Sequence, residues 1–119
     1  MLVVKRVYEP ASGEDGFRVL TDRLWPRGVS KEKAAVDVWA KDVAPSTGLR
    51  QWFHQNMEEW PEFKKKYLAE LKANPDAVEA LLAQLRGKRK ISLLFGSKDE
   101  ERNQAIVLRD YIGKKLETL

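Results

Sequence analysis

Apolar and polar residues alternate near the start of the chain, a pattern typical of β-strands. Residues 2–8 are mostly apolar and β-branched, with Lys5 and Arg6 as interruptions. Residues 17–24 alternate again, and the segment between the two is rich in Gly, Pro, Ser and Asp. Such residues form turns and loops. We therefore predict two strands, and the turn-rich loop that joins them favours an antiparallel pair.

The second predicted strand ends at Pro26, because proline has no N–H group to donate to a sheet. Ser30 is a suitable N-cap for one short helical turn. Residues 36–40 alternate once more, with Val36, Val38 and Ala40 on one side. This alternation predicts a short third strand.

Helical spacing of apolar residues dominates the middle of the chain. Ser46 is expected to cap a first long helix, and a second begins near Glu58. The apolar stripe of this second helix consists of Trp60, Phe63, Tyr67 and Leu71. Asn74-Pro75 breaks the helix, and a third one follows and closes at Gly87.

Ile91–Phe95 is a short, mostly apolar run. Apolar residues on both sides of a strand indicate the middle of a sheet that helices cover on both faces. Ser97 or Asp99 is expected to cap the last helix. The predicted order is β-β-(β)-α-α-α-β-α, which favours one compact α/β domain over residues 1–119, with helices packed on a small mixed β-sheet.

Composition excludes several classes of protein. The 119 residues suffice for one hydrophobic core but not for two. The chain has no cysteine and a single histidine, which excludes thiolate chemistry and His-rich zinc sites, so we predict no metal site, and no cofactor is specified. No apolar stretch is long enough to span a membrane, and the charged start does not resemble a signal peptide. We expect a cytoplasmic protein that has no membrane partner.

The net charge is only +4, from 22 Lys and Arg against 18 Asp and Glu. A dedicated nucleic-acid-binding protein of this size usually has a larger excess, although a local patch can lie within a small total. The Lys64–Lys66 run sits among glutamates, so it reads as a solvated helix face. The cluster at residues 86–90 has four cations and is a candidate surface for nucleic-acid phosphates.

Three segments contain candidate chemistry for binding an anion. Residues 22–28 bring two arginines and an aspartate to a strand end, where the alternative is a structural ion pair with Trp25 in the core. Residues 41–46 place a lysine before a helix N-terminus, where the alternative is an ordinary N-cap. Residues 95–103 follow the central strand but lack a phosphate-binding glycine motif.

His54 is the one candidate general base with an ordinary pKa near neutrality, although a partly exposed surface histidine is the commoner case. No GxSxG sequence is present to support nucleophilic catalysis.

The chain resembles the YeaO-like family of small bacterial and archaeal proteins, which lies within a broader family of unknown function. The resemblance covers nearly the whole chain, and its most specific block is DRLWPRG at residues 22–28. The other blocks are Lys5-Arg6-Val7-Tyr8, Gly16–Leu20, Trp39, Lys41-Asp42, Ala44-Pro45-Ser46, Leu49-Arg50, Trp52-Phe53 and Asn103-Gln104-Ala105. The resemblance implies a compact α/β domain without a settled activity. Some members have cysteines, which this chain lacks.

The resemblance also favours the polar residues of these blocks as ligand-binding residues. They are Arg6, Asp22, Arg23, Arg27, Lys41, Ser46 and Asn103. We expect a polar, Arg-lined pocket for an anionic ligand, such as a phosphate, a nucleotide or a nucleic-acid end. The arginines would hold the charge, and Asp22 would orient one of them or act as an acid/base group. No set of residues specifies a reaction, so the sequence leaves open whether the protein is an enzyme, and also its oligomeric state.

Two other functions stay open at the level of the sequence. One is a nucleic-acid-binding or regulatory module that uses the basic surface at residues 86–90. The other is a protein-interaction or structural domain without a pocket, for which an exposed patch at Trp39 or Trp60 would be the support.

Overall fold

Four short strands pair side by side at the centre of the fold. The computed structural model describes residues 1–117. The strands are β1 (Leu2–Arg6), β2 (Phe17–Leu20), β3 (Val38–Trp39) and β4 (Ile91–Phe95), and the order across the sheet is β1-β4-β2-β3. Every pairing is parallel.

The predicted antiparallel pair and the predicted mixed sheet are therefore wrong. The strands β1 and β2 do not pair with each other, because β4 lies between them, and Val4 and Val19 both sit opposite Leu93. The turn-rich segment after β1 is not a hairpin loop. It contains a one-turn 3-10 helix, Gly13–Asp15, and carries the chain back so that β2 runs in the same direction as β1.

Both of the first two strands end earlier than predicted, at Arg6 and Leu20. One further residue of each still donates a backbone hydrogen bond to β4, from Val7 to the Phe95 carbonyl and from Thr21 to the Leu94 carbonyl. The chain then leaves the sheet on the same side, at the carboxyl ends of the strands.

Five α-helices surround the sheet, and with the strands they follow the predicted order. They are α1 (Lys31–Ala34), α2 (Thr47–Gln55), α3 (Trp60–Lys72), α4 (Pro75–Leu85) and α5 (Gln104–Glu117). The predicted caps are confirmed at Ser30 and Ser46, whose hydroxyls accept the N–H groups of Lys33 and Leu49.

The two faces of β4 are both buried, which confirms its predicted central position. Ile91, Leu93 and Phe95 face the larger core, which contains side chains of the helices α2 to α5. Leu94 faces a smaller cluster with Leu20 and Ala34. The stripe of α3 that starts at Trp60 belongs to the larger core, as the sequence predicted.

A buried ionic cluster holds the start of β2. The Arg18 guanidinium donates to Asp15 and to the Ala34 carbonyl, and Lys5 donates to Asp15 from the other side. Burial alone would raise the pKa of Asp15, but hydrogen bonds from Lys5, the Ser12 N–H and Arg18 lower it below its ordinary value. This cluster joins β1, β2 and the end of α1.

Within residues 1–117, no helix has both the length and the apolar character needed to cross a membrane.

Candidate functional site

A cleft of about 700 Å³ opens at the carboxyl end of the sheet. Residues that follow three parallel strands line it: Tyr8 after β1, Asp22 after β2 and Gly96 after β4. The helix α2 and the start of α5 supply further wall residues. In open parallel α/β sheets, this is the end at which ligands bind.

Positive charge exceeds negative charge in the cleft wall. Five of the lining side chains are cationic and two are carboxylates. The cations are Arg23, Arg27, Arg50, Lys98 and Arg102, and the carboxylates are Asp22 and Asp99. Such a surface attracts anions.

Asp22 is the most perturbed group in the cleft. The Gln104 side-chain amide and the Gly96 backbone N–H both donate to its carboxylate. Burial raises the pKa of Asp22 to about 6, although these hydrogen bonds and the positive charge of Arg50 oppose the rise. A Cβ atom on Gly96 would lie 2.7 Å from the Asp22 carboxylate oxygen Oδ2, so only glycine fits at position 96 without displacing this oxygen.

Arg50 has a buried side-chain donor that makes no hydrogen bond within residues 1–117. It lies in the first half of α2, and its Nε is buried without a hydrogen-bond partner among the described residues. Arg23 differs, because its Nε and Nη2 donate to the backbone carbonyls of Pro45 and Ala44 at 2.9 and 3.0 Å. Arg23 therefore braces the segment before α2, whereas the Arg50 Nε has no hydrogen-bond partner within residues 1–117.

Four of the seven residues predicted for the site line the cleft: Asp22, Arg23, Arg27 and Asn103. Arg6 lies behind the wall, where its Nε donates to the Ser97 carbonyl at 2.9 Å and its guanidinium packs on the Tyr8 ring. It thus holds the segment after β4 in place.

Lys41 and Ser46 lie outside the cleft wall. The Lys41 ammonium sits 4.9 Å from the centre of the Trp39 ring. The Ser46 N–H and hydroxyl both donate to the Glu70 carboxylate, at 2.8 and 2.6 Å. The N-terminus of α2 is thus occupied by a carboxylate of the protein itself, which makes it an ordinary capped end.

Asn103 has a local structural role in addition to its position in the wall. Its Oδ1 accepts the Ile106 N–H, and its Nδ2 donates to the Asp99 carbonyl. Asn103, rather than Ser97 or Asp99, therefore caps α5, and the prediction of those two caps is wrong. The Asp99 carboxylate instead accepts the N–H groups of Glu101 and Arg102 in the turn before the helix.

The seven predicted site residues did not include the wall residues Arg50, Lys98, Arg102 and Gln104, although Lys98 and Arg102 lie in the candidate segment at residues 95–103. Arg50 lay in a recognised block, and helical spacing contained the signal for it. Residues three apart on a helix are neighbours, so Arg50 shares a helix face with Phe53, which packs against the larger core. A charged residue on the border of an apolar stripe is partly buried. His54, one turn after Arg50, is exposed at the rim.

Within residues 1–117, no three or more His, Cys, Asp or Glu side chains are grouped so that they could hold a metal ion.

The profile of the inactive DUF488-N3 subclade matches residues 1–119, the whole chain. The chain belongs to this subclade. It is 44% identical over 108 residues to the uncharacterized protein YeaO of Escherichia coli, a match that covers 91% of this chain and 93% of YeaO. This confirms the resemblance to the YeaO-like family.

Similar proteins also occur in mycobacteria. The chain is 41% identical over 110 residues to the uncharacterized protein Rv3073c of Mycobacterium tuberculosis, which covers 92% of both chains. The uncharacterized protein Mb3100c of Mycobacterium bovis matches to the same extent. No solved structure matches the chain significantly.

Proposed function

We propose that this protein binds a small anionic ligand in the cleft at the carboxyl end of the sheet, with Arg50 as the principal charged contact. The main support is Arg50, whose buried Nε has no hydrogen-bond partner among residues 1–117. An unmade hydrogen bond from a buried donor costs roughly 1–3 kcal/mol, which Arg50 would recover by turning its guanidinium toward a bound anion. A guanidinium matches the geometry of phosphate and carboxylate oxygens.

The surrounding charges support the same proposal. Arg27, Lys98 and Arg102 are exposed side chains of the cleft wall, and each brings positive charge to its mouth. A phosphate, a nucleotide or a nucleic-acid end would meet this charge first and reach Arg50 deeper in the cleft. Asp22 would lie beside the bound anion and would favour its binding when protonated.

Binding fits this cleft better than catalysis. The raised pKa of Asp22 would suit proton transfer. A catalytic site also needs a second group, such as a nucleophile or a donor that stabilises a developing charge, and no lining residue is assigned that role. The description of the subclade as inactive favours the same reading. The absence of cysteine favours a reducing compartment such as the cytoplasm.

A thermal-shift titration tests the proposal. We expect inorganic phosphate, nucleoside monophosphates or short oligonucleotides to raise the Tm of the protein by mass action. Arg50→Met removes the guanidinium while keeping an apolar side chain of similar length, and it should abolish the rise. Arg109→Met removes the same charge from α5 outside the cleft, where Arg109 contacts Asp110, and it should preserve the rise. Equal responses of the two variants would refute the proposal.

The basic surface at residues 86–90 lies at the opposite end of the sheet, just before β4 begins. There Arg86 pairs with Glu79 at 2.7 Å, and the Lys88 ammonium packs over the Phe17 ring. Because the cleft and this basic surface lie at opposite ends of the sheet, separate variants can distinguish anion binding in the cleft from nucleic-acid binding at residues 86–90. Oligonucleotide binding that weakens steeply with salt and is lost in Lys88→Ala, but not in Arg50→Met, would assign function to this surface instead.

A further inference from the structure

Several large apolar side chains of the cleft are exposed. Among residues 1–117, five large hydrophobic side chains are exposed, and three of them line this cleft: Tyr8, Leu24 and Met57, with 45%, 58% and 45% of their surface accessible. Exposed apolar groups that gather in a concave site indicate a ligand with an apolar part.

A rigid aromatic wall lies beside these side chains. The Phe53 ring stacks on the buried Phe63 ring with a centroid distance of 4.2 Å, and both rings line the cleft. Trp60 stacks on Phe63 in turn, at 5.7 Å. The stack fixes Phe53, so the cleft presents a preformed apolar surface that does not need to be ordered when a ligand binds.

The apolar wall and the charged contact share one helix. Arg50 and Phe53 are three residues apart on α2, and Met57 follows shortly after the end of the helix. Residues at this spacing have their Cβ atoms about 5–6 Å apart. One face of α2 therefore presents both the guanidinium and the ring to a single ligand that carries an anionic group beside an apolar group.

We propose that the ligand is an organic anion in which a phosphate or carboxylate group is joined directly to an apolar group of about the size of one ring. This inference rests on the proposed function, since it assigns the ligand class of the same cleft. The anionic group would contact Arg50, and the ring would lie between Phe53 and the exposed side chains of Leu24 and Met57.

Isothermal titration calorimetry with phenyl phosphate, methyl phosphate and inorganic phosphate tests the proposal. The two monoesters have the same charge and differ in apolar surface. We expect phenyl phosphate to bind at least about tenfold more tightly than methyl phosphate, because burial of the ring removes apolar surface from water. Benzoate and acetate, titrated in parallel, show whether the anionic group is a carboxylate instead.

Variants at Leu24 test whether the tighter binding of phenyl phosphate depends on the apolar wall of the cleft. Leu24→Ser should reduce the advantage of the phenyl ester severalfold and leave inorganic phosphate unchanged, whereas Leu24→Met keeps the apolar contact and should retain the advantage. Leu24 is exposed, so neither change should unfold the protein.

The outcomes separate this inference from the proposed function. If phenyl and methyl phosphate, and likewise benzoate and acetate, bind equally, or if Leu24→Ser and Met57→Ser both leave the preference intact, the ligand class is refuted and anion binding stands. If none of these anions binds, the ligand class is refuted, and if nucleoside monophosphates and oligonucleotides also leave the Tm unchanged, both proposals fail.

Discussion

Asp22 is the residue on which the electrostatics of the cleft depend. Its carboxylate is partly enclosed by Gly96 and Gln104, and Arg50 is the cation whose charge acts on it. The raised pKa of about 6 means that burial outweighs these favourable contacts. At neutral pH the folded protein therefore contains a carboxylate that would be better solvated in the unfolded chain.

Because burial outweighs the favourable contacts of Asp22, we predict that the stability of the protein depends on pH. Between its ordinary pKa of 3.8 and its folded pKa of about 6, Asp22 is protonated in the folded state and ionised in the unfolded state. Its contribution to stability therefore falls as the pH rises through this window. At about pH 7.5, Asp22→Asn should raise the free energy of unfolding by roughly 1–3 kcal/mol, and the gain should disappear below about pH 4.

Urea unfolding of the variant and the parent protein over this pH range measures the effect. Asp42→Asn, at an exposed position, is the control and should change the free energy of unfolding by less than about 0.5 kcal/mol. A loss of stability in Asp22→Asn at about pH 7.5 would mean that the hydrogen bonds from Gly96 and Gln104 outweigh the cost of burial.

At the scale of elements, local pattern identified the strands and helices but not their pairing. Apolar character on both sides of Ile91–Phe95 indicated a central strand, and β4 is central. The turn residues after β1 suggested a hairpin, yet the strand that pairs with β1 comes about 85 residues later. A turn signal reports only on the residues that form it, so it contains no information about a distant strand that inserts between two neighbours.

The junction before β2 shows how one residue permits this insertion. Gly16 has a φ of +69°, and a Cβ atom there would lie 2.4 Å from the Lys90 carbonyl oxygen. This carbonyl accepts the Phe17 N–H at 2.9 Å, which starts the pairing of β2 with β4. Gly16 thus combines a left-handed backbone with a close approach that any side chain would block.

Gly16→Ala should therefore lower the free energy of unfolding by at least about 2 kcal/mol, since a positive φ costs alanine at least the roughly 1–2 kcal/mol of the left-handed region and the added Cβ would also overlap the Lys90 carbonyl. Gly13→Ala is the matched control in the preceding 3-10 helix, where an added Cβ meets open space, and it should change stability little. Chemical denaturation compares the two. Equal effects at the two glycines would show that β2 can shift away from Lys90 at no cost.

In the molecule as a whole, the cations of the cleft and the cations of residues 86–90 lie at opposite ends of the sheet. The cleft lies where the strands end, and the basic connector at residues 86–90 lies where β4 begins. The net charge of +4 hides this division. Parallel pairing produces it, because all strand ends that share a direction meet at one edge.

Parallel pairing also explains which wall residues were predictable. Asp22, Arg23 and Arg27 follow a strand, and Asn103 precedes a helix, so their position at element ends could be read from the sequence. Arg50 lies inside α2, and its place in the wall depends on how that helix packs against the sheet and α3. Lys41 and Ser46 lie at element ends too, but they are outside the wall, where they contact Trp39 and Glu70.

In the proposed complex, an anion in this cleft contacts the Arg50 guanidinium. Two-dimensional ¹H–¹⁵N NMR of the arginine Nε–H groups measures this contact directly, with the Arg50 signal assigned by its loss in Arg50→Lys. During titration with inorganic phosphate, and separately with phenyl phosphate, the Arg50 signal should shift and saturate while the Arg86 and Arg109 signals stay in place. An Arg50 signal that does not move while either anion binds elsewhere, or a shift confined to Arg86, would contradict the account.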